Sequence, residues 1–270
     1  EMNIPVLKRA DLLARLFNGA KRRIAVAGTS GKSTTTGMLA WILSQAGKNP
    51  TVMNGANFLN FVSGETPYAS ALVGDPDMFV AECDESDGSI ILYHPTTAIL
   101  TNIALDHKPV SELVPVFRQY LSQSQRQILN LGNDNIARLI HPDFPDAFTY
   151  GIDHASARFC GNNYTPLQTG SRTEIIDRKT GEKGTLTLRV SGRHNLENAL
   201  AAISAASLEG IPLTVSLTAL QDFKGVGRRL ENIGIYNNIS IIDDFAHNPD
   251  KVRATLSTLA EHNGRLLVMF

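Results

Sequence analysis

Cysteine is nearly missing from this chain. Among 270 residues only Cys83 and Cys160 occur, so neither a disulfide framework nor a zinc-ligand spacing can be built from the sequence. That scarcity suits a reducing compartment, and the expected location is cytoplasmic. An excess of one charge sign is missing too. With 25 Lys and Arg against 26 Asp and Glu the net charge is -1, and the basic residues are dispersed, which removes the field that nucleic acid or an anionic lipid surface would need. No apolar run reaches the ~20 residues that span a bilayer. The opening EMNIPVLKRADLLARL carries charges where a signal peptide has its apolar region. Internal repeats and low-complexity tracts are also absent. No nucleic acid and no membrane are expected as partners.

What is present is a core. Hydrophobic residues make up 43% of the chain, enough for one large or two modest domains. Apolar runs (RIAVAG, DMFVAE, TTAILTNI, RQILN) alternate with helical patterns from Lys32 to about Ala46, near Ser111 to Ser122, and from about Asp134. Continuous apolar strands alternating with helices predict a mostly parallel sheet covered on both faces. From about Ala157 to Val190 the pattern turns to short alternating runs with KTGEK as a turn, predicting a small antiparallel patch. A helix over NLENALAAISAASLEG follows, with Leu196, Leu200 and Ile203 on one face and Gly210 as its stop. After FKGVGRRLE comes a strand, ISIIDD, then a helix from Pro249 to about Glu261, then a terminal strand, GRLLVMF. The fold class is thus α/β: a P-loop nucleotide-binding sheet with an antiparallel patch, followed by the start of a second α/β domain. The last strand has no helix to cover it and the first segment starts abruptly, so a fragment of a longer protein is expected.

The stretch VAGTSGKSTTTGML, Val26 to Leu39, places glycine, lysine and hydroxyls between a strand and a helix. A small-residue loop feeding a helix N-terminus gathers free backbone N–H groups and the positive end of the helix dipole at one point, which favours an anion. Gly28 and Gly31 let the backbone curl around phosphate oxygens, with Thr29 and Ser30 between them. Lys32 adds a mobile charge, Ser33 offers a hydroxyl to Mg²⁺, and Thr34 continues the first turn. Val26 occupies the first glycine position of the longer P-loop pattern, so this is the shorter G-T-S-G-K-S form.

Three further groups carry chemistry. MFVAECDESDGS runs an apolar strand into Glu82, Asp84, Glu85 and Asp87. Ligands collect beyond the carboxyl ends of strands in open α/β sheets, so Glu82 is placed to share the metal with Ser33. Cys83, among these carboxylates, reads as a buried filler and not a nucleophile. TTAILTNIALDH ends a strand in Thr101 and Asn102, then Asp106 and His107, where the histidine is either structural or a metal or phosphate contact. In SGRHNLENA, His194 and Asn198 lie one turn apart. Asn195, between them at the helix start, can cap the helix or, with Asn198, offer donor and acceptor to a base.

Taken in order, GTSGKSTTT, AECDESDGS, TNIALDH, GRHNLENALAA, FKGVGRRLE and DDFAHNPDKV resemble the Mur ligase family of peptidoglycan synthesis, from about Ile4 to the end of the chain. The resemblance implies three parts: a connecting segment over 1–18 from a missing UDP-binding domain, a central ATP-binding domain over 19–224, and the start of a C-terminal ligase domain over 225–270. It implies ATP and Mg²⁺ as cofactors, and as partners a UDP-linked muramic acid and an amino acid or short peptide. The nearest branches join L-alanine or recycled murein tripeptide through an acyl phosphate. Carried over, Lys32, Glu82 and His107 are catalytic, Ser33 and Glu82 hold one Mg²⁺, and Glu82 and His107 hold a second. The nucleotide is contacted by Gly28 to Thr34, Asn102, His194, Asn195, Asn198, Arg229 and Asp243. The chain departs from the L-alanine branch at Ser30, where that branch has histidine, at DDFAHNP, which replaces a double-histidine version, and in KPVSELVPVF after His107. These departures bear on the acceptor substrate and not on the nucleotide chemistry. The isolated 270-residue chain is expected to bind ATP without full catalysis.

Overall fold

In a computed structural model that describes residues 6–106, 108–262 and 264–269, the chain runs through α1 (Arg9–Gly19), β1 (Arg22–Ala27), α2 (Lys32–Gln45), β2 (Pro50–Met53), β3 (Ala71–Leu72), β4 (Asp75–Glu82), β5 (Thr97–Leu100), α3 (Val110–Ser122), β6 (Arg126–Asn130), α4 (Asp134–Leu139) and β7 (Phe148–Ile152). It continues through β8 (Phe159–Pro166), β9 (Ser171–Asp177), β10 (Lys183–Leu188), α5 (Arg193–Leu208), α6 (Leu213–Gln221), β11 (Glu231–Tyr236), β12 (Ile239–Asp243) and α7 (Pro249–Ala260). The first ten strands form one sheet in the order β10-β9-β8-β7-β6-β5-β1-β4-β2-β3. Strands β8 through β2 in that order pair in parallel, while β8-β9-β10 and β2-β3 are antiparallel. The expected parallel sheet with an antiparallel patch is therefore present.

The apolar runs are continuous because both faces of the sheet are covered. In β1, Ile24 and Val26 enter one core with α2, α5 and α6 residues such as Leu39, Leu200 and Leu217. Ala25 and Ala27 enter the other with Phe17, Phe117 and Tyr120 of α1 and α3. Successive side chains on a strand point to opposite faces, so a strand covered twice cannot alternate with polar residues. Leu196, Leu200 and Ile203 are buried as the helical spacing predicts, and Gly210 follows α5 with φ of 78°.

Arg158 holds the antiparallel patch to the parallel sheet. Its Nε and Nη2 donate to Asp177 Oδ1 and Oδ2 at 3.1 and 3.0 Å, and the guanidinium lies 4.4 Å above the Phe148 ring. Truncating Arg158 to alanine leaves the buried Asp177 carboxylate without its cation, still accepting from Lys179 N at 2.9 Å. A loss of about 3 kcal/mol is expected in urea unfolding, and Arg158→Lys restores little of it, since an ammonium cannot supply the planar fork.

The C-terminal region differs from the sequence expectation. A strand β11 precedes β12, and the two form a separate antiparallel hairpin. Its two-residue turn, Asn237 and Asn238, has φ of 51° and 62°, the left-handed pair that a tight hairpin requires. GRLLVMF, expected as a strand, has none over its described residues 264–269. Among the described residues no third strand joins the open edges of the β11-β12 pair. Among the described residues, no helix is long and apolar enough to cross a membrane.

Candidate functional site

The register of the sheet assembles the site. Val26 pairs with Glu82 and Ala27 with Leu100, so the Gly28 loop, Glu82 and Thr101 emerge together at the carboxyl edge, where β1 is flanked by β4 and β5. Chain order switches sides at this point, and the crevice beyond it is where doubly wound sheets bind ligands. A cleft of about 770 Å³ opens there, lined by Thr29 to Thr34, Glu82, Asn102, residues of the α5 start and residues of the C-terminal segment.

Gly28 and Gly31 are required for packing as well as for curl. A Cβ on Gly28, at φ +133°, would stand 2.1 Å from Thr101 Oγ1, and one on Gly31, at φ +81°, would stand 2.3 Å from Asn198 Oδ1. Asn102 braces the loop: its Oδ1 accepts from Thr29 Oγ1 at 2.6 Å and from Ser30 N at 2.9 Å, and its Nδ2 donates to Ser30 O at 3.1 Å. Its amide is thus engaged in shaping the loop that the sequence assigned to phosphate.

Two carboxylates of the acidic loop face the loop lysine and serine. Glu82 Oε2 accepts from Ser33 Oγ at 2.8 Å and from Gly55 N at 2.9 Å. Lys32 Nζ donates to Gly28 O at 2.8 Å and to Glu85 Oε2 at 2.9 Å, with the Glu85 side chain only 5% exposed. Asp84 and Asp87 accept from the backbone N–H of Ser86 and Ser89, turning the loop on itself. Ser89, through its hydroxyl first and its backbone N–H second, holds the Asp87 carboxyl below its ordinary pKa. Cys83 is buried, and burial first, then the Glu82 charge, pushes its thiol well up, which bears out its reading as a filler.

At α5 the structure revises one expectation. Gly192 and not Asn195 occupies the cap position. Asn195 lies in the first turn, and its Nδ2 donates to Ser191 O at 2.8 Å. Asn198 Nδ2 donates to Asn195 Oδ1 at 3.2 Å, while Asn198 Oδ1 accepts from Thr35 Oγ1 at 3.3 Å. The pair is a hydrogen-bonded chain tying α5 to α2. His194 lines the same cleft. Burial lowers its imidazole pKa below 6.5 against a smaller opposing pull from Asp244. Because the unfolded chain binds the proton more readily, stability should fall as pH drops below about 6.5. His194→Gln should flatten that slope in melting temperature against pH.

The C-terminal segment roofs the cleft. Arg229 lines it, with its guanidinium 5.0 Å from the Phe245 ring, and burial lowers its pKa against the attraction of Glu82 and Asp244. Asp243 does not line the cleft. It pairs with Arg228 at 3.6 Å, and the next residue, Asp244, takes the cleft position. Asp244 Oδ2 accepts from Leu230 N at 2.8 Å and its Oδ1 from Ala246 N at 2.9 Å and Thr255 Oγ1 at 3.0 Å. Strand alternation explains the switch: Asp243 ends β12 in register with Glu231, and its neighbour points the opposite way.

A contact that the sequence did not suggest ties this roof to the sheet. Asp106 accepts from Asn248 Nδ2 at 2.7 Å and from Lys251 Nζ at 2.8 Å, with its side chain 7% exposed. Asn248 also caps α7, its Oδ1 accepting from Lys251 N at 2.9 Å. His107 lies outside the described residues.

Magnesium can be matched to this site on chemistry. Ser33 and Glu82 supply a hydroxyl and a carboxylate oxygen 2.8 Å apart, hard donors that leave further positions for phosphate oxygens and water, as Mg²⁺ prefers. Among the described residues no group of three or more His, Cys, Asp and Glu could hold a metal, so a protein-only cage is not formed by them.

Fold and site together define a P-loop α/β nucleotide-binding protein whose cleft is roofed by a second segment. The chain belongs to the Mur ligase family: residues 26–206 match the Mur ligase middle domain and residues 228–270 the Mur ligase, glutamate ligase domain. It is 37% identical over 260 residues to UDP-N-acetylmuramate--L-alanine ligase of Thermosynechococcus vestitus, covering 94% of this chain and 53% of that protein. The same enzyme of Pelotomaculum thermopropionicum is 35% identical, with 99% and 58% covered. Among solved structures, UDP-N-acetylmuramate-alanine ligase MurC of Thermotoga maritima superposes with a TM-score of 0.77 at 27% identity, covering 93% of this chain and 56% of that one. The murein peptide ligase of Psychrobacter arcticus gives 0.71 at 28%, covering 93% and 57%. The chain thus spans between half and three-fifths of the length of these relatives.

Proposed function

We propose that these residues form the ATP-handling part of a cytoplasmic ligase that joins L-alanine to the carboxylate of UDP-N-acetylmuramate. The observation that carries the reading is the convergence of Lys32, Ser33 and Glu82 at one sheet edge beneath a roof from the C-terminal segment. It is supported by relatives named for that reaction along nearly the whole chain. In this reading the backbone N–H groups from Gly31 to Ser33 receive the β- and γ-phosphates of ATP, while those of Thr29 and Ser30 are held by Asn102. Lys32 leaves Glu85 for the γ-phosphoryl group and stabilises its charge as it passes to the substrate carboxylate. The amine of the amino acid then attacks the acyl carbon, and inorganic phosphate departs. Mg²⁺, held by Ser33 and Glu82, would neutralise charge on the phosphate oxygens. Arg229, drawn toward Glu82 and Asp244, would add a cation from the roof.

A second reading, ligation of a recycled murein tripeptide, is favoured by the superposition on the Psychrobacter enzyme. Phosphate release by the complete gene product, with UDP-N-acetylmuramate and a panel of amino acids and murein peptides, separates the two. Release that depends on L-alanine supports the first, release that depends on tripeptide replaces it with the second, and release with neither overturns both.

A further inference from the structure

We propose that Asp106 and Lys251 form a latch that holds the roof shut over the cleft, and that its opening gates the entry and release of the nucleotide. The inference rests on the nucleotide reading of the cleft and goes beyond it.

The roof has little apolar surface to hold it down. Among the described residues the last in either hydrophobic core is Val226, and of α7 only Thr258 is buried. Polar contacts across the cleft therefore decide where the roof sits. They converge on one carboxylate: Asp106, its side chain 7% exposed, accepts from Asn248 Nδ2 at 2.7 Å through Oδ1 and from Lys251 Nζ at 2.8 Å through Oδ2. His247 steadies the lysine. Its Nδ1 lies 2.9 Å from Phe245 O and its Nε2 3.3 Å from Lys251 Nζ, and a proton on Nδ1 satisfies the carbonyl while leaving Nε2 to accept from the ammonium. An ion pair shielded from water in this way is stronger than an exposed one. A further bond, from Tyr164 Oη to Glu261 Oε2 at 3.0 Å, lies just past the end of α7 in an exposed position, where water competes with it.

A hinge adjoins the last core residue. Gly227 N donates to Asn57 O at 2.9 Å, pinning the chain to the sheet domain. Immediately after it, Arg228 and Leu230 adopt φ of 58° and 48°, a left-handed conformation that such side chains avoid unless their surroundings impose it. The contacts that impose it lie within the roof: Arg228 O accepts from Phe245 N at 3.0 Å, and Leu230 N donates to Asp244 Oδ2 at 2.8 Å. The roof thus moves as one piece about the junction of Gly227 and Arg228, carrying Arg229, Asp244 and Lys251 toward or away from the P-loop across the cleft they line. The latch joins protein groups to each other and not to the nucleotide, so it strengthens the closed state of the empty and the loaded cleft alike. Breaking it speeds both entry and release and leaves their ratio nearly fixed.

Spin labels on cysteines introduced at Gln119 of α3 and Ser257 of α7, both exposed, would report the position of the roof in the complete gene product, where the native Cys83 and Cys160 are buried. Stopped-flow fluorescence with N-methylanthraniloyl-ATP and Mg²⁺ would give association and release rates on the unlabelled protein. In Lys251→Met the distance distribution without nucleotide should broaden toward longer values, and both rates should rise about tenfold with the dissociation constant unchanged within about twofold. Asp106→Asn, which removes the charge from the other side, should behave alike, and Lys251→Arg, which keeps a cation for Asp106, should restore both readouts. Distances that match the wild type in both Lys251→Met and Asp106→Asn overturn the latch, whatever the rates. Broadened distances with unchanged rates overturn the gate. A release rate that rises alone, weakening the dissociation constant by the same factor, overturns it too and assigns Lys251 to the nucleotide itself. If the wild type binds no N-methylanthraniloyl-ATP, the nucleotide reading fails and the gate falls with it, while the distances still decide the latch.

Discussion

Lys32→Ala is expected to lower turnover of the complete ligase by roughly a thousandfold, the scale for removing a cation from a transferring phosphoryl group. From sequence, a loop lysine contributes little packing, and its loss should leave the fold untouched. The ion pair with Glu85 changes the second half of that expectation. Glu85 is buried beneath the loop with Lys32 as its ion-pair partner, and removing the lysine leaves a carboxylate without compensation. A fall of a few degrees in melting temperature is therefore expected alongside the loss of turnover. The double variant Lys32→Ala/Glu85→Gln removes the stranded charge, so it should recover the melting temperature and none of the turnover. If turnover returned with stability, Lys32 would be a structural ion-pair partner and the P-loop chemistry would fail.

The parts of this site that were legible in the sequence are those whose geometry is local. A strand, a glycine loop and a helix N-terminus follow one another in the chain, so the turn from Gly28 through Ser33 into α2 could be read residue by residue. Glu82 was legible because an apolar strand ends at it. What could not be read depends on elements meeting from far apart in the chain. In the sequence Asn195 and Asn198 read as open to a base, but α2 brings Thr35 to Asn198 across 163 positions. Asp106 receives Asn248 and Lys251 from more than 140 residues away. The choice between Asp243 and Asp244 turned on the parity of β12, which neighbouring aspartates do not reveal. The β11-β12 hairpin was a missed signal of another kind. Asn-Asn between alternating apolar runs marks a two-residue turn in the sequence itself.

Glu82→Gln isolates charge from shape at the metal position. A glutamine oxygen can still accept from Ser33 Oγ and Gly55 N, the two donors now held by Glu82 Oε2, so the melting temperature should stay near that of the wild type. Glu82→Ala removes the acceptor from both and should melt lower. The neutral amide binds a hard divalent cation poorly and no longer attracts Arg229, whose guanidinium responds to the Glu82 charge. Turnover in the complete enzyme is therefore expected to fall by about two to three orders of magnitude in the glutamine variant. The Mg²⁺ concentration for half-maximal rate should rise at the same time, and part of the loss should return at high Mg²⁺. A role limited to bracing Ser33 against Gly55 predicts the opposite ranking: Glu82→Gln would be active at ordinary Mg²⁺, and only Glu82→Ala would be impaired, in proportion to its instability. Mg²⁺ titrations of rate on both variants, normalised to folded protein, distinguish a ligand from a brace. A glutamine variant with normal turnover and an unshifted Mg²⁺ midpoint would remove Glu82 from the metal site, leaving Ser33 without the charge that makes its hydroxyl a useful ligand.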